Sequence, residues 1–150
     1  MPTTIKRQLI IDAVKTRFAL ILVAGGYYTN LGQKLTEWKP NPFGANRVDG
    51  IDISDPGENN ALIAEDESVE GHELTLVIKA IAKSPVDAST GRKMEADIKK
   101  AIGVDPTWGG LALTTHPEKS QMEVEQNDVK ILGVVITITI QYDTAAFLES

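Results

Sequence analysis

The chain has 150 residues, room for one domain with its own core, and its 42% hydrophobic and 24% charged content excludes wholesale disorder. Its 15 basic and 21 acidic residues leave a net charge of −6, which argues against a general nucleic-acid binder. It has no cysteines, so disulfides, thiolate zinc sites, cysteine nucleophiles and iron–sulfur clusters are excluded.

Taken in chain order, the first signal is helical. Ile10, Val14, Phe18 and Ile21 recur at helical spacing, with Ile5 and Leu9 widening the stripe, so an amphipathic helix is expected over residues 3–23. Gly25 and Gly26 are its expected stop. The apolar run from Phe18 to Ala24 is seven residues, too short to span a bilayer. Asp12, Lys15 and Arg17 break the pattern of a signal peptide. Tyr27-Tyr28-Thr29 and Leu35 to Lys39 read as short strands. The cluster Pro40 to Gly44 reads as a turn. Val48, Ile51 and Ile53 mark a third short strand, which Asp55-Pro56-Gly57 is expected to end. Residues 59–69 read as a polar, acidic loop.

The stretch HELTLVIKAIAK, from His72 to Lys83, alternates with period two. Leu74, Leu76, Ile78, Ala80 and Ala82 share one face; Thr75, Val77, Lys79 and Ile81 share the other. A second helix is expected over residues 89–102, burying Met94, Ile98, Ala101 and Ile102 and ending at Gly103. Residues 105–113 form a loop. Gln121 to Glu125 alternates, and Asn127-Asp128 offers a turn. The strongest strand signal is VVITITIQY within residues 129–142, with Val134, Ile136, Ile138, Ile140 and Tyr142 on one face. A mobile tail is expected over residues 144–150. Strand–helix–strand alternation does not recur, so the expected fold is a single α+β domain, a mostly antiparallel sheet with two helices on one face.

Chemical motifs are sparse. Gly26 to Lys34 resembles a phosphate loop but fails on spacing and lacks a Ser or Thr after the lysine, so it reads as a turn. His72 and His116 have no second histidine at ligand spacing, and no metal site or catalytic role is expected of them. No Lys or Arg occurs between Arg47 and Lys79, and the carboxylates there do not match a calcium loop.

The amphipathic helix followed by GYYTNLG, the helix pattern EADIKKAI, the segment Trp108-Gly109-Gly110-Leu111-Ala112 and the closing VVITITIQYDT strand together resemble one family. The likeness runs over residues 5–144. It is to the tail terminator (tail completion) proteins of long-tailed bacteriophages, related to the lambda minor tail protein U group. The resemblance implies a structural virion protein without catalytic residues or cofactor. Such a protein forms a homohexameric ring on the head-proximal end of the tail tube, stops tube polymerisation and offers a docking surface to the neck of the capsid. Its implied partners are other copies of itself, the tail tube protein and the head–tail connector, with DNA passing through without specific binding and no membrane contact. The acidic region of residues 46–73 departs from the compact family pattern.

On that reading, carboxylates among Asp49, Asp52, Asp55, Glu65, Asp66, Glu67 and Glu70 face the ring channel or a seam between subunits. Arg92, Lys93, Lys99 and Lys100 on the second helix are the candidate basic partners across that seam. Two other functions compete: a monomeric binding or adaptor module, and a small hydrolase using carboxylates near His72 or His116.

Overall fold

The computed structural model describes residues 5–39, 49–63, 68–83, 87–126 and 130–145. The fold is α+β, as expected. Helix α1 (Lys6–Phe18) is followed by single 3-10 turns at Val23–Gly25 and Leu31–Gln33. Then come β1 (Leu35–Glu37), β2 (Gly50–Leu62), β3 (Val69–Lys83), α2 (Ala88–Val104), β4 (Thr114–Gln126) and β5 (Lys130–Ala145). The strands form one sheet in the order β1-β2-β3-β5-β4, antiparallel except for the short parallel pair β1 and β2.

The alternation in β3 and β5 sets the core. Leu74 pairs with Ile140, Leu76 with Ile138, Ile78 with Ile136 and Ala80 with Val134. All eight side chains are buried on the face that both helices cover. From α1 come Ile10, Ile11, Val14 and Phe18; from α2, Met94, Ile98 and Ala101. On the reverse face Thr75, Val77, Lys79, Val135, Thr137, Thr139 and Gln141 are half-buried.

Several expectations shift at element ends. Helix α1 stops at Phe18, well before the Gly25-Gly26 pair, and Ile5 and Leu9 are exposed while Ile11 is buried. Two close backbone approaches impose that stop. The Gly32 amide donates to the Ile21 carbonyl at 2.9 Å. A Cβ on Gly32 would lie 2.5 Å from the Phe18 carbonyl oxygen and 2.6 Å from that of Ala19. The closing glycine of GYYTNLG is therefore needed for space. Gly32→Ala must push rigid backbone apart, and a loss of about 1–3 kcal/mol is expected in chemical denaturation.

The segment Tyr27-Tyr28-Thr29 is a loop, not a strand, because its amides serve a side chain described below. Asp55-Pro56-Gly57 does not end β2. The register slips between Ser54 and Gly57, and the strand resumes opposite β3 from Thr75 to Glu70. A bulge tolerates a proline that cannot donate to the ladder. The expected loop at residues 59–69 is therefore strand as far as Leu62 and again from Val69. Helix α2 passes the expected Gly103 stop and ends at Val104. The Arg17 guanidinium of α1 donates to the Ala101 carbonyl at 3.5 Å and, more closely, to that of Asp105. The terminal carbonyls thus find a cation and need no left-handed glycine. Strand β5 continues to Ala145, into the segment expected to be a mobile tail. The turns expected at residues 40–44 and 127–128, and Val48, lie outside the described residues.

Candidate functional site

At the end of the sheet where β3 begins and β2 and β5 finish, the helix-facing side turns from aliphatic to polar. His72 is 3% exposed and its ring stacks on Tyr142, centroids 4.5 Å apart and planes at 14°. The His72 Nδ1 lies 2.6 Å from Asn60 Oδ1 and 3.1 Å from Glu58 Oε2. Both neighbours accept, so Nδ1 carries a proton and donates. The Nε2 lies 2.7 Å from the Thr144 hydroxyl and 3.8 Å from Glu70 Oε1. The other Glu58 oxygen accepts from the Tyr142 hydroxyl. Burial first, then the hydrogen bond and charge of Glu58, push the Tyr142 phenol far above its ordinary value, so it stays a donor.

Glu58, His72 and Thr144 thus have the order carboxylate, imidazole, hydroxyl that activates a nucleophile. Access decides what this order can do. Thr144 is 8% exposed and the Glu58 side chain 4%. An attacked carbonyl would have to reach a hydroxyl already closed in by protein, whereas the same contacts directly join β2, β3 and β5. His116 is remote from this network in register: it stands exposed on the edge strand β4, opposite Thr139. No group of three or more potential metal ligands occurs among the described residues.

Among the described residues, the sequence-predicted carboxylates do not form one surface. Asp52 is withdrawn, 3% exposed, and its carboxylate accepts from the Thr36 hydroxyl at 2.5 Å and the Lys39 amide at 3.0 Å. Asp55 is half-buried at the bulge, held by Arg7 at 2.9 Å and by the Trp38 indole at 2.8 Å. Both therefore work inside the chain, fixing β1 and α1 to β2. Glu70 is half-buried beside His72, and Asp49 is exposed before β2. Glu65, Asp66 and Glu67 lie outside the described residues.

Of the basic candidates, Lys99 pairs with Glu95 at 3.3 Å. Lys100 donates to the Gly26 carbonyl at 2.9 Å and sits 4.8 Å from the Tyr27 ring centroid. Arg92 and Lys93 are exposed; the Lys93 charge acts on the Asp87 carboxylate at the start of α2.

Two constellations escaped the sequence reading. The first explains the loop that resembled a phosphate cradle. Its amides do bind an anion, but an internal one. Asp97 of α2, 1% exposed, accepts from the Tyr28 amide at 3.0 Å, the Thr29 amide at 2.8 Å and the Thr29 hydroxyl at 2.6 Å. The available signal was an aspartate three residues after Met94, on the apolar stripe. The second is the corner around Trp108, which is buried at φ 55° and followed by Gly109 at 74° and Gly110 at 86°. Three successive left-handed residues explain the two glycines. Trp108 tolerates the strain because its indole donates to the Thr115 hydroxyl at 2.8 Å, meets Phe18 edge-on, and lies under Arg17, 4.2 Å from its centroid.

Asp105 holds this corner together. Its pKa is pulled from the ordinary 3.8 down to about 2, first by the Thr107 hydroxyl, then by the Gly109 and Thr107 amides, with the Arg17 charge adding. Because the folded-state value is the lower one, its stabilisation is complete above about pH 4 and is lost as the pH falls towards 2. With Trp38 replaced by phenylalanine, Trp108 becomes the only tryptophan. Its fluorescence is expected to change between pH 4 and pH 2, and Asp105→Asn is expected to remove that transition.

No protein-family model matches this chain, and no curated protein matches it.

Proposed function

We propose that this chain is a tail terminator of a long-tailed bacteriophage. In this reading it caps the head-proximal end of the tail tube as a homohexameric ring, stops tube growth and offers the capsid neck its docking surface. It is a virion component at the head–tail junction and acts without cofactor or catalytic residue. The sequence likeness over residues 5–144 motivates the proposal, and the element order of helix, strands, helix, strands agrees with it.

The observation that carries it is the one-sided sheet. Both helices pack on one face, while Val77, Val135 and Thr137 stay half-exposed on the other. The sheet also ends in a 13-residue edge strand, β4, with Met122 46% and Val124 57% exposed. A half-apolar face and a long edge favour burial against neighbours, and a heterologous contact that closes gives a ring. The net charge of −6 suits a channel that must not retain DNA.

The test is the mass in solution, followed by addition of tail tube protein. Six 16.3 kDa chains give about 98 kDa. A species of that mass that shortens polymerising tubes is the expected result. A chain that stays monomeric at every concentration and leaves tube length unchanged would sink the reading in favour of an adaptor module.

A further inference from the structure

Two exposed cations and a pair of carboxylates stand at opposite ends of the sheet. Helix α2 starts where β3 finishes. A Cβ on its Gly91 would meet Met122 and Leu132, which places that end of α2 beside the finish of β4 and the start of β5. Arg92 and Lys93 follow immediately and are exposed, with the Lys93 charge acting on the Asp87 carboxylate at the helix cap. Lys99 and Lys100 further along are engaged within the chain.

The opposite end carries a depression on the reverse face. Gly71 lies in its floor between Ala61 on β2 and Asp143 on β5, with the Ile63 side chain packed 3.3 Å from where a Cβ would stand. The hollow is about 350 Å³ and is lined by the carboxylates of Glu73 and Asp143, the amides of Asn59 and Gln141, and the apolar side chains of Ile63 and Leu113. Gln141 Nε2 donates to Glu73 Oε1 at 3.5 Å, and the Lys6 ammonium donates to the Asp143 backbone carbonyl at 2.8 Å, leaving no cation on either side-chain carboxylate among the described residues. An apolar rim with two carboxylates suits a long cationic side chain, whose methylenes lie on the rim while its head meets the acids.

Arg92 and Lys93 are separated from the acidic hollow by most of the length of β3, roughly 40 Å at about 3.3 Å per residue. They cannot meet within one chain. A head-to-tail contact lets every copy offer one end and receive the other, and such a contact can close. We propose that the depression around Gly71 receives Arg92 and Lys93 of a second copy of this chain. The proposal rests on the ring reading and names its contact.

The test uses two charge-reversed full-length variants, Arg92→Glu with Lys93→Glu, and Glu73→Lys with Asp143→Lys. Arg92, Lys93 and Glu73 are exposed and Asp143 is half-buried, and unchanged melting temperatures confirm folding. Each variant alone is expected to assemble at least about 100-fold more weakly than wild type, since like charges then face each other. An equimolar mixture is expected to recover the wild-type mass, because alternating copies match at every contact. Should either reversal disturb folding, the neutral pairs Arg92→Gln with Lys93→Gln and Glu73→Gln with Asp143→Asn replace them, and each must still weaken assembly. If wild type oligomerises and the variants do so equally well, or if the mixture does not recover, this contact is overturned while the ring stands. If wild type is monomeric throughout, the ring reading falls first and this contact with it.

Discussion

Ile138→Asp is expected to abolish the folded state. Ile138 is 1% exposed, pairs with Leu76 across the centre of the sheet and faces the helices. A carboxylate there would be desolvated, and the cation that lines the neighbouring cavity, Lys99, is already paired with Glu95. The loss is about 5 kcal/mol or more, comparable with the whole stability of a domain this size. Thr137→Asp, one residue away on the reverse face, is the control. Thr137 is half-buried, so its substitution is expected to leave the protein folded. Circular dichroism during thermal melting separates the two. Equal, small shifts for both would mean that the faces of β5 are assigned the wrong way round.

Asp97→Ala should come close behind, at about 3–5 kcal/mol. Removing the carboxylate strands the Tyr28 and Thr29 amides and the Thr29 hydroxyl, all of which it satisfies in the folded chain. These donors tie the loop after α1 to the middle of α2, so the damage reaches the packing between the helices. Asp97→Asn keeps one oxygen in place and is expected to recover part of the loss. Hydrogen exchange supplies a local readout: the Tyr28 and Thr29 amides should lose protection in Asp97→Ala at temperatures where β3 and β5 stay protected. Unchanged protection there would show that another group holds the loop.

These contacts alter how the acidic region is understood. Lysine at Asp52 or Asp55 would break internal hydrogen bonds, with Thr36 and Lys39 in one case and Arg7 and Trp38 in the other. Such variants would report on folding before reporting on any channel. Glu73 and Asp143 are better probes of association. Glu73 is exposed and the Asp143 side chain is half-buried, and neither holds a strand in place.

Periodicity alone was enough for the centre of this protein. The alternation of residues 72–83 and 129–142 identified both central strands and the face of each that is buried, because a strand can hide only every second side chain. The spacing of Ile10, Val14, Phe18, Met94, Ile98 and Ala101 likewise identified both helices and their buried stripes. What only the tertiary structure decided lies at the ends and in the polar contacts. Asp55-Pro56-Gly57 has strong turn chemistry, yet pairing with β3 carries β2 through it as a bulge. Gly103 looks like a helix stop, yet Arg17 from another helix satisfies the carbonyls that a glycine cap would have served. The residues 26–32 have the look of an anion cradle, and only the fold shows that the anion is Asp97. Each outcome depends on a partner distant in sequence. Local patterns record which side of an element is buried, whereas the partner of a buried polar group is set by which elements the fold brings together.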